Sequence, residues 1–62
     1  MKLTRLKKYV GKGLISPEAL ALKSKGDFSN MTVRRALAGE NIDRLKAQAN
    51  ARWLEIKPEE LV

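Results

Sequence analysis

Apolar side chains recur along this chain at intervals of three and four, the spacing that lines one face of an α-helix and leaves the other faces to water. Leu3, Leu6 and Val10, with Tyr9 beside them, predict a two-turn amphipathic helix from Leu3 to Val10, its other sides covered by Lys2, Arg5, Lys7, Lys8 and Lys12. Gly11 and Gly13 end it. The run Ile15-Ser16-Pro17-Glu18-Ala19-Leu20 is a helix start signal. Ser16 caps, Pro17 sits at the first helical position where its missing N–H costs nothing, Glu18 complements the helix dipole, and Ile15 staples to Leu20. This second helix is expected to run from Pro17 to about Lys25, with Gly26 as its left-handed stop. Ala21 is small enough for another helix to cross closely, whereas Leu22 points away from Leu20, towards a different neighbour or towards solvent.

The stretch Phe28 to Gly39, FSNMTVRRALAG, organises the rest. Ser29 is placed to cap a short helix, Phe28 to pack on Val33, and Gly39 to close the far end. Helical spacing puts Val33, Ala36 and Leu37 on one side and Met31, Arg34, Arg35 and Ala38 on the other, with Asn30 in the exposed first turn. After Gly39, Asn41 is the expected cap of a fourth helix from Ile42 to about Leu54, with Asp43 in its first turn. Its main stripe is Ile42, Leu45, Ala49 and Trp53, while Ala47, Ala51 and Leu54 face another side, the breadth expected of a helix wedged between others. Ile56 continues the apolar content, and Pro58-Glu59-Glu60-Leu61 can form a final helical turn. Repeats, low-complexity stretches and alternation long enough for a sheet are absent from the sequence. The expectation is therefore an all-α single domain over 1–62, a compact bundle of four to five short helices.

Composition narrows the function. Sixty-two residues are near the lower limit for a core without disulfides or metal, and the chain contains neither cysteine nor histidine. That removes disulfide staples, the usual zinc sites, the commonest general base and the thiolate nucleophile. Ser16, Ser24 and Ser29 have no histidine to activate them, and the adjacent carboxylates Glu59 and Glu60 face apart on a helix, so an enzyme is not expected. No metal, cofactor or small-molecule ligand is expected either. The Gly11-Lys12-Gly13 triplet lacks the full phosphate-loop spacing and its trailing Lys-Ser or Lys-Thr. Without a secretory or long apolar segment, the expected address is the cytoplasm.

The formal charge of +6 is unevenly spread. Residues 1–35 hold nine basic side chains against Glu18 and Asp27, a surplus of seven, while residues 36–62 hold four against five acids. The positive field belongs to the half that carries FSNMTVRRALAG, as a polyanion-binding surface requires. The outer face of that helix offers two guanidinium groups, an amide, a methionine and a methyl group. Such groups read base edges in a DNA major groove: Arg on guanine, Asn on adenine, apolar contact on the thymine methyl. Two short capped helices joined by a glycine-containing turn also form a helix-turn-helix unit. A lone basic surface helix is usually only solvated; here the order of caps, glycine stops and basic face points further.

With these residues in view, the chain resembles the Cro/CI-type helix-turn-helix domains of phage and bacterial repressors, a lambda-repressor-like fold, and is similar to the headpiece of the Lac repressor family. FSNMTVRRALAG is similar to that group's recognition-helix pattern, and ISPEALA to its second-helix opening. The resemblance implies that Ser29 and Thr32 hold phosphates while Asn30, Met31 and Arg35 face bases, with Arg34 able to do either. It makes Val33 the buried pivot, Ala21 the small residue at the helix contact and Leu61 the last buried leucine. One departure stands out: Ala21 to Val33 is about two residues longer than the family's usual spacing of roughly ten, and the excess falls in Lys25-Gly26-Asp27.

The expected function is a sequence-specific, double-stranded-DNA-binding transcriptional regulator: a small phage or prokaryotic repressor, nucleoid-associated, that occludes an operator. Lys23, Lys25, Ser29, Thr32 and some N-terminal lysines would hold phosphates, and Asn30, Met31, Arg34 and Arg35 would read bases. A domain of this size touches one half-site, so a homodimer on an inverted repeat is expected, joined through Trp53, Leu54, Ile56, Leu61 and Val62. The plainer role for Trp53 is to close the helical core. Two further readings stay open: a basic helical module that binds an acidic protein partner as inhibitor or adaptor, and an excision or architectural factor that bends DNA. Membrane binding is not expected, because the apolar face it needs is committed to the core.

Overall fold

The computed structural model describes residues 1–11 and 13–62; Lys12, counted above among the N-terminal lysines and in the glycine-flanked triplet, lies outside the described residues. Three α-helices form: α1 over Pro17–Lys23, α2 over Asn30–Leu37 and α3 over Arg44–Trp53. Single 3₁₀ turns at Leu6–Lys8 and Pro58–Glu60 stand before and after them. No strand is present among the described residues, only two isolated bridges, Lys2 with Asn41 and Val10 with Ile15. The result is a small all-helical fold measuring 23 × 22 × 20 Å. It has fewer α-helices than the four to five expected.

The missing first helix has a tertiary explanation. Leu3, Leu6 and Val10 are buried as the spacing requires, but the backbone between them closes by short-range bonds, Leu6 N to Leu3 O at 3.0 Å and Lys8 N to Arg5 O at 3.0 Å. The N-terminal part of the segment is tied to distant chain instead of to a further turn. Met1 and Ile42 exchange backbone bonds of 2.8 Å, and Arg5 N donates to Leu61 O at 2.8 Å. A 3₁₀ turn reaches these partners while keeping the leucines inside, and its poorer internal geometry is tolerable over three residues.

α1 follows its start signal. Ser16 Oγ accepts from Ala19 N at 3.1 Å, Pro17 opens the helix, and Leu20 is fully buried. It ends earlier than Lys25, however. Lys25 itself takes the left-handed conformation (φ 56°), followed by Gly26 at φ 100°, so two left-handed residues in succession make the turn. The buried Ser24 adds a second stop: its hydroxyl donates to Ala21 O at 2.6 Å, satisfying a carbonyl that a further helical turn would have used.

α3 starts two residues later than the sequence pattern implied, with Asp43 rather than Asn41 as its cap; Asp43 Oδ1 accepts from Lys46 N at 2.9 Å. Asn41 is drawn into the bridge with Lys2 and Ile42 into the exchange with Met1, which removes both from the helix. Of the expected stripe, Ile42 and Ala49 are buried and Trp53 is half-buried, but Leu45 is not. Leu45 is 76 % exposed, whereas Ala47, Asn50 and Ala51 are fully enclosed and Ala49 nearly so.

α1 is the hub, packing on α2 along one side and on α3 along another, while the first 3₁₀ turn backs α2 and the last backs α3. Leu3, Leu6, Val10, Leu20, Phe28, Val33, Ala36, Ile42 and Leu61 meet in one core, closed by the half-buried Tyr9, Ile15, Leu37, Trp53, Leu54 and Ile56. Leu61 is fully enclosed. It serves as the last buried leucine and cannot also offer itself to a second copy, which corrects its place in the expected dimer surface.

Candidate nucleic-acid interface

α2 is built as its sequence dictates. Ser29 Oγ accepts from Thr32 N at 3.3 Å, capping the helix, and lies 3.4 Å from Thr32 Oγ1. Phe28 and Val33 are both buried in the same core, the two positions that set the angle of entry. At the other end Glu40 N reaches Arg35 O at 3.1 Å and Gly39 N reaches Ala36 O at 3.1 Å, the paired closure that needs a left-handed residue, here Gly39 at φ 88°.

The two faces separate cleanly. Val33 and Ala36 are enclosed and Leu37 is half-buried, whereas Met31, Arg34, Arg35 and Ala38 are exposed and Asn30 and Thr32 lie between. Ser29, Lys23 and Lys25 are exposed as well, so the residues expected to hold phosphates and those expected to read bases follow one another along the end of α1, the turn and α2. Leu22, at the end of α1, is 81 % exposed; solvent is the neighbour it found.

The two arginines differ in state. Arg34 donates to Glu18 Oε2 in the first turn of α1, the only ion pair among the described residues. Arg35 has no such partner and lines a shallow hollow of about 250 Å³ with Thr32, Glu40, Asn41, Ile42, Asp43 and Lys46, between α2 and the start of α3. The Arg34 hydrogen bond holds the Glu18 carboxyl below its ordinary value, helped by Glu18's own backbone amide, the guanidinium charge and the Asn30 amide, against a smaller opposing effect of desolvation. Both partners are about half exposed, so the pair is open to displacement by another acceptor.

The long turn before α2 is clamped in a way the sequence pattern did not reveal. Trp53 Nε1 donates to Asp27 Oδ2 at 2.7 Å and Lys46 Nζ donates to Asp27 O at 2.8 Å, so α3 grips the turn residue from two sides. The turn is therefore held at Asp27, and the entry of α2 is fixed by α3 as well as by Phe28. The contacts join residues 19 and 26 apart, beyond any helical periodicity. Glu18 was likewise legible only as a helix-dipole residue, because its contact with Arg34 spans 16 positions. Of the expected dimer residues, Trp53, Leu54 and Ile56 are half-buried in the intrachain core and Val62 is exposed.

No family model, curated protein or solved structure matches this chain. No helix among the described residues is long and apolar enough to cross a membrane.

Proposed function

We propose that this chain is a sequence-specific double-stranded-DNA-binding transcriptional regulator in which α1, the Lys25-Gly26-Asp27 turn and α2 act as a helix-turn-helix. The observation that carries the reading is the division of α2: Val33 and Ala36 enclosed on one side, Met31 and Arg35 exposed on the other, in the half of the chain that holds the surplus of seven positive charges. An α-helix with its side chains is about 10–12 Å across, the width that a major groove of about 12 Å admits. Asn30, Met31 and Arg35 read base edges there, Arg34 joins them when released, and Lys23, Lys25, Ser29 and Thr32 hold phosphates.

A body 23 Å in its longest dimension covers less than the roughly 34 Å that separates successive major-groove faces on one side of the duplex. Selectivity therefore calls for a homodimer on an inverted repeat, joined through the outward parts of Trp53, Leu54, Ile56 and Val62. By analogy with small phage repressors, such a dimer acts by occluding polymerase, which places it on the nucleoid.

Selection of bound duplexes from a random pool tests this directly. Recovery of an inverted repeat is the expected result, with Arg35→Ala relaxing preference at one base pair by about 1–3 kcal/mol and Lys25→Ala weakening all duplexes alike. Steep salt dependence with no recovered sequence would reduce the activity to general polyanion binding and defeat the proposal.

A further inference from the structure

We propose that Glu18 is an intramolecular competitor that occupies the Arg34 guanidinium and leaves Arg35 as the ungated reader of the α2 face. The inference rests on the DNA-binding reading above and adds a specificity determinant to it from outside the reading helix. Glu18 and Asp27 are the only acids among residues 1–35, and they are disposed differently. Asp27 is turned to α3, where Trp53 Nε1 takes its carboxylate, whereas Glu18 reaches across from α1 to a side chain on the outward face of α2.

The chemistry of the pair makes it a gate. A carboxylate offers a guanidinium the same kind of paired oxygen acceptor that a phosphate offers, and guanine presents an equivalent O6/N7 pair, so each can replace Glu18 on Arg34. An exposed pair of this kind changes an equilibrium constant by up to about fivefold, small enough for DNA to break and large enough to bias which arginine engages first. Arg35 carries no such toll: no acid pairs with it among the described residues, although Glu40 and Asp43 line the same hollow. A site that gives Arg34 no new acceptor leaves the pair intact and gains nothing from that arginine, whereas a site that supplies one also meets the freed Glu18 carboxylate.

The test is a four-protein binding comparison by fluorescence anisotropy: the unaltered chain, Glu18→Gln, Arg34→Ala and the double variant, each on a selected duplex and on a random-sequence duplex at fixed salt. Glu18 and Arg34 are exposed, and circular dichroism confirms that each variant folds. Glu18→Gln is expected to tighten binding about fivefold, and in the Arg34→Ala background the gain should fall to twofold or less, because the competitor then has nothing to hold. A gain confined to the selected duplex assigns the released Arg34 to a base, and a gain shared by both duplexes assigns it to phosphate. If the gain persists above twofold without Arg34, Glu18 acts only by repelling the phosphate backbone and the gate is overturned. No gain from Glu18→Gln also overturns it while leaving DNA binding intact, whereas failure of the unaltered chain to bind either duplex removes the DNA-binding reading itself and the gate with it.

Discussion

α2 and α3 are both amphipathic helices against the same core, yet they bury opposite kinds of residue. α2 puts its branched Val33 inside with Ala36 and keeps Met31 and both arginines in solvent. α3 encloses Ala47, Ala49, Ala51 and the amide of Asn50 while its largest aliphatic residue, Leu45, stands 76 % exposed. The difference lies in what faces each helix. Ala47, Ala49 and Ala51 share one core with Leu20 and Leu61, and side chains this small let the α3 backbone approach its neighbours closely. Asn50 satisfies its amide within the helix, Nδ2 donating to Lys46 O at 2.8 Å, while its Oδ1 is buried without a partner among the described residues. Hydrophobicity alone thus does not decide which residues of α3 turn inward.

Three substitutions sharpen this contrast, the largest effect first. Leu20→Ala removes a fully buried side chain from the hub helix and is expected to cost about 2–5 kcal/mol in chemical denaturation, whereas Leu45→Ala should stay within about 0.5 kcal/mol despite deleting the same atoms. Equal losses would mean that Leu45 is sequestered in solution. Ala47→Leu places three extra carbons where α3 is fully enclosed, with an expected cost of about 1–3 kcal/mol; a neutral result would show that the alanine face is loosely packed.

The helix ends differ as the faces do. α2 closes on Gly39 at φ 88°, with open space where a Cβ would stand, so Gly39→Ala should cost about 1–2 kcal/mol from the backbone alone. α3 makes the same paired closure, Ile56 N to Ala51 O and Glu55 N to Arg52 O, around a non-glycine residue at φ 60°. Glu55→Gly is therefore expected to raise stability by about 0.5–1 kcal/mol, the relieved strain less the added freedom of the unfolded chain. A thermal melt that moves both variants in the same direction would refute this account of the two stops.

The smallest effect concerns charge. The folded Glu18 carboxyl titrates below its ordinary value of 4.5, so its pair with Arg34 contributes fully above that value and fades as pH falls through the lowered one. Carboxyl-carbon NMR of Glu18 should show the lowered midpoint, and Arg34→Ala should return it towards 4.5. An unchanged midpoint in that variant would place the cause elsewhere.

Caps and faces set by neighbouring residues were legible in the sequence: Ser16 on α1, Ser29 and Gly39 on α2, and the enclosure of Val33 and Ala36. These depend on backbone geometry within one or two turns, which the residue types encode directly. The extra α-helix at Leu3 to Val10 and the Asn41 cap were misread because each depended on a partner far along the chain, and Leu45 alone of its stripe stayed outside the core. Met1 and Lys2 captured Ile42 and Asn41, and Leu61 captured the Arg5 amide. The sequence by itself thus determined the starts of α1 and α2, the stop of α2 and where the positive charge resides, because those follow from local conformational preference and composition. Only the tertiary structure decided that α3 turns alanines inward, that Asp27 is gripped by Trp53 and Lys46, and that one of two adjacent arginines is held by Glu18 while the other has no acid partner. These are contacts between residues many positions apart, and they exist only once the chain has packed.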